Sequence, residues 1–314
     1  MNRKIEGISV MSELGAGTRG ASLGFAALQV ADWKKGGNFF QKLSFDAVPC
    51  LNDWIYNEVD TPNALNLEGI AETFPQISKR VQACVERGNM PFIISGDHSS
   101  AAACMQGVKA AIGDKSLGAF WVDAHADLHS PYTTPSGNVH GMPLAIASHE
   151  ENLPCKINTI KGKTLSLWEQ VKGDTPAIEH KDIVFAAVRD TEEPERKLME
   201  RFNIKNFLVE DFRTHGAEWV AKGMLEKLSH CDHIYLSFDV DSLDCDLVSL
   251  GTGTPVPNGL TEEEATTLLT ELVKDPRIIA FEVVEVNPTL DNKGNVMAET
   301  ALRIIEAVYN SLSA

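Results

Sequence analysis

The chain has 314 residues, 43% of them hydrophobic and 23% charged, which is the composition of a globular protein with a large buried core and excludes extended disorder. Forty-four acidic against twenty-eight basic residues leave a net charge of -16, which argues against nucleic-acid phosphates as partners and favours a cationic ligand. No apolar run approaches a membrane span, the segment after Met1-Asn2-Arg3-Lys4 is too short for a signal-peptide core, and six scattered cysteines without a C-x-x-C pair read as reduced packing residues. A cytoplasmic protein without a membrane partner is expected. No Gly/Ser-rich or Pro-rich linker interrupts the pattern, so residues 1–314 read as one domain.

In chain order, Ile5 to Val10 reads as a first strand, and Gly15, Gly17, Gly20 and Gly24 make a flexible turn into an amphipathic stretch from about Ser22 to Lys35. Gly15-Ala16-Gly17 lacks the third glycine of a dinucleotide fingerprint in register. Residues 40–66 read as irregular surface structure with one short strand, and helical periodicity returns from about Leu67 to Arg87. Pro91 to Ser95 is a short buried strand ending in a turn that presents His98, with Ser99 or Ser100 placed to cap the Ala-rich helix that follows.

The next apolar run, Leu117 to Val122, leads into Asp123, His125 and Asp127. If the strand continues through them, these alternate positions share a face and converge on one point. Two carboxylates and an imidazole held together without a cation would repel one another, and no neighbouring Lys or Arg compensates, so a metal ion is expected there. A polar loop from Ser130 to His140, a helix-like segment from about Val139 to Ala147 and an amphipathic piece near Lys163 to Val171 follow. Ile183 to Val188 is another buried run, after which a helix begins near Arg189-Asp190-Thr191-Glu192-Glu193. Phe207 to Val209, Ile234 to Phe238 and Ile279 to Val286 are further strands, separated by amphipathic stretches near 217–229, 261–274 and 298–312.

Strands alternating with helices predict an α/β fold with a parallel sheet covered on both faces. Ligands of such sheets bind beyond the C-terminal strand ends, where His98, Asp123 and Asp190 lie. Asp239 and Asp241 arrive there on the strand Ile234 to Phe238, two positions apart, and Glu285 arrives on the last strand. One dication needs about four to six ligands, and the six residues His98, Asp123, His125, Asp127, Asp239 and Asp241, several of them able to offer two oxygens, suggest two ions with bridging carboxylates. Carboxylates mixed with imidazole and no thiolate favour Mn over a structural Zn site, leaving Co, Ni, Fe and catalytic Zn open. His149, His180, His215, His230 and His233 lack partner spacing and read as surface or structural. The run His230-Cys231-Asp232-His233 enters its strand from the end opposite the expected site.

The segments Gly96-Asp97-His98-Ser99, Asp123-Ala124-His125-Ala126-Asp127, Ser136-Gly137-Asn138-Val139-His140-Gly141, Ser237-Phe238-Asp239-Val240-Asp241, Gly251-Thr252-Gly253-Thr254-Pro255 and Glu285-Val286-Asn287-Pro288 together resemble the ureohydrolases and, within them, the arginases. The resemblance spans nearly the whole chain and implies a three-layer α/β/α fold with a central parallel sheet. It implies two Mn2+ per subunit, one held by His98, Asp123, Asp127 and Asp239, the other by His125, Asp123, Asp239 and Asp241, and a bridging hydroxide that attacks the guanidinium carbon of L-arginine to give L-ornithine and urea.

By the same resemblance Asp127 passes a proton to the departing amine, His140 is a proton shuttle, Glu285 holds the guanidinium with help from Thr254, and Ser136, Asn138 and Glu192 read the substrate's far end. A homo-oligomer, trimer or hexamer, is implied too. Two departures stand out: His129 replaces the Asn that arginases usually present to the substrate carboxylate, and the loop Ser242-Leu243-Asp244-Cys245-Asp246-Leu247 lacks the usual Pro. The alternatives are another amidinohydrolase acting on agmatine, guanidinobutyrate or formimidoylglutamate, and a metal-binding regulatory homologue without activity.

Overall fold

The computed structural model describes residues 4–313; Met1 to Arg3 of the basic N-terminus lie outside the described residues, as does Ala314. Eight strands form one sheet: β1 (Ile5–Val10), β2 (Phe45–Ala47), β3 (Met90–Ser95), β4 (Leu117–Val122), β5 (Ile183–Ala186), β6 (Lys205–Phe207), β7 (His233–Asp239) and β8 (Ile278–Val284). Their order is β2-β1-β3-β8-β7-β4-β5-β6, and each neighbouring pair is parallel. All the C-terminal strand ends therefore open on the same edge.

Strand alternation divides the core into two. Phe92, Phe120, Leu236 and Phe281 face the helices Gly24–Lys34, Ala217–Lys227, Glu262–Leu272 and Val296–Ser313, while Ile93, Trp121, Tyr235 and Ala280 face Leu67–Glu86, Ser100–Ile112 and Lys163–Lys172. This is the expected α/β/α layering. The helix Glu262–Leu272 shows how sequence specifies such an element: Ala265, Leu268, Leu269 and Leu272 form a buried stripe, while Thr261 and Glu264 bond each other's backbone N–H at its start.

The C-terminal half departs from expectation at strand ends. β5 stops at Ala186, two residues early, because Ala187 takes a left-handed backbone with φ 70°. β6 covers Lys205–Phe207, two residues earlier than Phe207 to Val209, because Val209 opens a short helix, Val209–His215, whose first turn is tied down by Asp211 accepting the Leu208 N–H. All six cysteines are free, and no helix among the described residues is long and apolar enough to cross a membrane.

Candidate functional site

Above the C-terminal ends of β3, β4, β7 and β8 the chain forms a cleft lined by His98, His125, Asp127, Asp239, Asp241 and Glu285 at its floor. His129, Ser136, Asn138, His140, Glu192 and Thr254 line it as well, and Asp123 lies fully buried beneath. Every residue expected at the site from the sequence is thus brought to one edge of the sheet. The means differ from simple strand alternation. β4 ends at Val122, before Asp123, and Asp127 has a left-handed backbone with φ 52°; Asp241 sits in a tight 3-10 turn, Val240–Ser242, just past β7.

Two groups of side chains converge. His98 Nδ1 lies 3.1 Å from each of Asp123 Oδ2, Asp127 Oδ2 and Asp239 Oδ2. His125 Nδ1 lies 3.0 Å from Asp241 Oδ2 and 3.5 Å from Asp123 Oδ1. Asp123 belongs to both groups, one oxygen to each. Asp239 turns Oδ2 to the first group, while its Oδ1 accepts the Asp241 N–H at 2.8 Å.

The donor sets fit metal ions. His98 Nδ1 and Asp123 Oδ2 are buried and make no hydrogen bond, despite their closeness to opposite charges. Atoms that surround a common centre at bond lengths of about 2.1 Å in an octahedron are about 3.0 Å apart along its edges, close to the spacing seen around His98. Without a cation the carboxylates oppose one another: burial and then the neighbouring Asp123 push Asp127 up to about 7, and burial with the charges of Asp241 and Asp123 pushes Asp239 well above the usual range.

Supporting contacts fix the donors. The His98 ring stacks on Trp121 at 4.1 Å, and its Nε2 meets Ser237 Oγ at 2.8 Å. Ser237 in turn lies beside the buried Glu282, which accepts from Ser95 and Tyr235. Asp241 Oδ1 accepts the Ala124 N–H, and its Oδ2 accepts from Thr254 Oγ1 at 3.0 Å, so that hydroxyl is engaged within the protein. Glu285, left-handed at φ 66°, accepts the His98 N–H and meets His140 Nδ1 at 3.2 Å through the same oxygen, Oε1. Burial pulls the His140 imidazole down, but the bond to Glu285 and the nearby carboxylates outweigh it and bring it up to about 9.

At the outer end, His129 is held between Thr133 Oγ1, 3.1 Å from Nδ1, and the carboxylates of Glu192 and Glu195, 3.5 and 3.6 Å from Nε2. Glu195 was not among the expected site residues. The position three residues into a helix start, where a side chain turns back on the backbone, was the available signal: Glu195 Oε2 accepts the Glu192 N–H at 3.0 Å. Asp97 was also missed. It is buried, pushed up to about 6 by burial and then by Glu285, and its carboxylate binds the Gly15 N–H, while the His140 N–H binds the Gly15 carbonyl. The glycine-rich turn is thereby a wall of the site: a Cβ on Gly15 would lie 2.6 Å from Asp97 Oδ1 and one on Gly17 2.5 Å from Asn138 Nδ2.

Among the described residues lining the cleft are seven carboxylates and no Lys or Arg. His149, His180, His215, His230 and His233 lie elsewhere: His149 bonds the Lys172 carbonyl, His180 stacks on Phe202, and His230 bonds Asp182.

Comparisons with known proteins converge on one family. A family model described as the arginase family matches residues 7–310. The chain is 30% identical over 320 residues to an arginase of Bacillus subtilis, covering 98% of each chain. Its fold superposes with a TM-score of 0.81 on the Bacillus caldovelox arginase, at 29% identity and 98% coverage of both. An Entamoeba histolytica arginase solved in complex with L-ornithine gives 0.82 at 26% identity, covering 98% of this chain and 99% of that one. With a family model matched almost end to end and both comparisons covering the full sheet and its helices, the chain belongs to the arginase family, hydrolases that act on C–N bonds.

Proposed function

We propose that the chain hydrolyses L-arginine to L-ornithine and urea using two Mn2+ per subunit. The observation that carries this reading is the pair of donor groups joined through Asp123 at the floor of a cleft with seven carboxylates and no fixed cation, a setting suited to a guanidinium. His98, Asp123, Asp127 and Asp239 would hold one ion, and His125, Asp123 and Asp241, with Asp239 as the further bridging donor, the other; Co2+ or another divalent ion could substitute. When bound, such a pair acidifies water so that a nucleophile exists near neutral pH.

The chain's own groups do the rest. Glu285 keeps Oε1 on the His98 N–H and His140, which leaves Oε2 to accept from the guanidinium and hold its central carbon over the floor. Asp127 hands a proton to the departing amine. His140, anchored at Nδ1, has Nε2 left to exchange protons with solvent at the mouth. Thr254 steadies Asp241, and Ser136, Asn138, His129 and Glu192 meet the substrate's α-carboxylate and α-amino end.

One observation favours a second reading. His129 Nε2 is directed at Glu192 and Glu195, and a histidine committed to those acids offers less to a substrate carboxylate. That arrangement suits a guanidino compound without one, such as agmatine. Urea release from manganese-loaded protein, with L-arginine, agmatine and guanidinobutyrate assayed side by side, separates these readings. Arginine is expected to turn over fastest; faster agmatine or guanidinobutyrate moves the substrate assignment, and no urea from any of them leaves a metal-binding regulatory homologue. From the family resemblance we carry a homotrimer or hexamer as the assembly, checked by sedimentation, and six free cysteines support a cytoplasmic setting.

A further inference from the structure

Arg189 follows β5, and the hydrogen bonds of its guanidinium go to backbone carbonyls, that of Asp241 in the second donor group among them. Nε donates to Pro257 O at 3.1 Å. Nη1 donates to Ala187 O at 3.1 Å and Ser242 O at 3.3 Å. Nη2 donates to Asp241 O at 3.0 Å, Leu243 O at 3.3 Å and Val256 O at 2.8 Å. Apart from Ala187, the acceptors belong to the two ends of the loop between β7 and the helix Glu262–Leu272, and the loop closes at its neck through Asp244 N to Leu260 O and Leu260 N to Ser242 O. Only a planar fork with five donors can serve carbonyls on so many segments at once.

Room for the fork is built in. A Cβ on Gly259 would stand 2.6 Å from Arg189 Nη2, so the glycine admits the guanidinium to the loop's interior. The Arg189 backbone is itself anchored: its N–H and that of Asp190 both bind the Ala124 carbonyl, while the Ala124 N–H binds Asp241 Oδ1. Arg189 thus connects the segment that supplies Asp123 and His125 to the segment that supplies Asp241.

We propose that Arg189 is a positioning residue for the second ion, its carbonyl-bound guanidinium setting the distance between Asp241 and the Asp123/His125 pair. The inference rests on the proposed two-ion reading. His98 is held by other means, by the Trp121 stack and the bond from its N–H to Glu285, and Asp239 by the β7 ladder, so these donors of the first ion stay in place when Arg189 is changed.

The test is equilibrium dialysis against Mn2+ together with electron paramagnetic resonance on the full chain, for wild type, Arg189→Lys and Arg189→Met. Wild type is expected to take up two ions with the signal of an exchange-coupled pair. In the variants one ion is retained with wild-type affinity and gives an isolated-ion signal, while the second binds about 10-fold more weakly in the lysine variant and about 100-fold more weakly in the methionine variant. Should Arg189→Met fail to fold, the lysine variant carries the test alone. Two ions bound at wild-type affinity in a variant whose only change is a lower Tm would reduce Arg189 to loop glue, and parallel loss of both ions would remove its selectivity; either overturns the proposal. Fewer than two ions in wild type is a separate outcome: it defeats the two-ion reading first, and this inference with it.

Discussion

The two edges of the sheet carry similar residues and put them to opposite uses. At the C-terminal edge His98 lies 3.1 Å from three carboxylates and bonds to none of them, and burial with mutual repulsion raises Asp127 and Asp239. At the N-terminal edge Asp182, His230 and Cys231 also cluster, but His230 Nε2 bonds Asp182 Oδ1 directly at 2.5 Å, leaving no space for an ion between them. The Cys231 thiol there is pushed up to about 12 by burial and by Asp182, so it holds its proton. Toward the far side of the sheet, on β1, Glu6 is satisfied by Arg80, Arg87 and Asn89. Residue types alone therefore do not mark a centre. Polar atoms buried together and left mutually unsatisfied do.

Removing divalent ions is the strongest way to break this contrast. Dialysis against a chelator is expected to abolish urea release and to lower Tm by about 4 °C, since binding at 100 times Kd adds about 2.7 kcal/mol; calorimetry before and after manganese is restored checks both. An unchanged Tm would mean that no ion relieves the repulsion at the C-terminal edge. Next in size, Asp127→Asn in manganese-loaded protein is expected to lower kcat about 100- to 10,000-fold, and retention of near-normal turnover would sink the proton-transfer role.

Smaller effects sharpen the other side. Burial raises Glu6, but its bonds to Arg87, Asn89 and Arg80 prevail and lower it from 4.5 to about 2. A carboxylate depressed on folding contributes stability above its unfolded pKa and loses that contribution as pH falls through its folded pKa. Glu6→Gln is thus expected to lower Tm by about 1–2 °C at pH 7, with the gap to wild type closing between pH 4.5 and 2; a gap independent of pH would contradict the ion-pair account. Smallest of all, His230→Ala should leave manganese uptake and kcat unchanged, and a lost ion would show that the N-terminal cluster had been misread.

Much of this was legible in the residues. Apolar runs such as Leu117 to Val122 gave strands at nearly their true limits, and a carboxylate or histidine just past each run located the site edge. Periodicity could not convey how the chain turns after a strand. His125 and Asp127 do line the same cleft with Asp123 buried beneath, but the strand stops at Val122 and a turn with a left-handed residue brings them there. Glu195 and Asp97 escaped notice for a related reason: each acts through backbone bonds to a distant or folded-back segment, which local spacing does not encode. Arg189 belongs with them, its acceptors lying up to 68 positions away.

The left-handed backbone at Asp127 and Glu285 has a bearing on how the chain tolerates change. For an ordinary L-residue that conformation costs about 1–2 kcal/mol, and glycine adopts it without penalty. Aspartate tolerates that backbone better than glutamate, so screening random variants for heat resistance alone would favour glycine or asparagine at 285 above all, and each such survivor would lack its acid. At 285 thermal ruggedness and acidity pull in opposite directions, so a library meant to toughen the chain should hold that position fixed and search elsewhere.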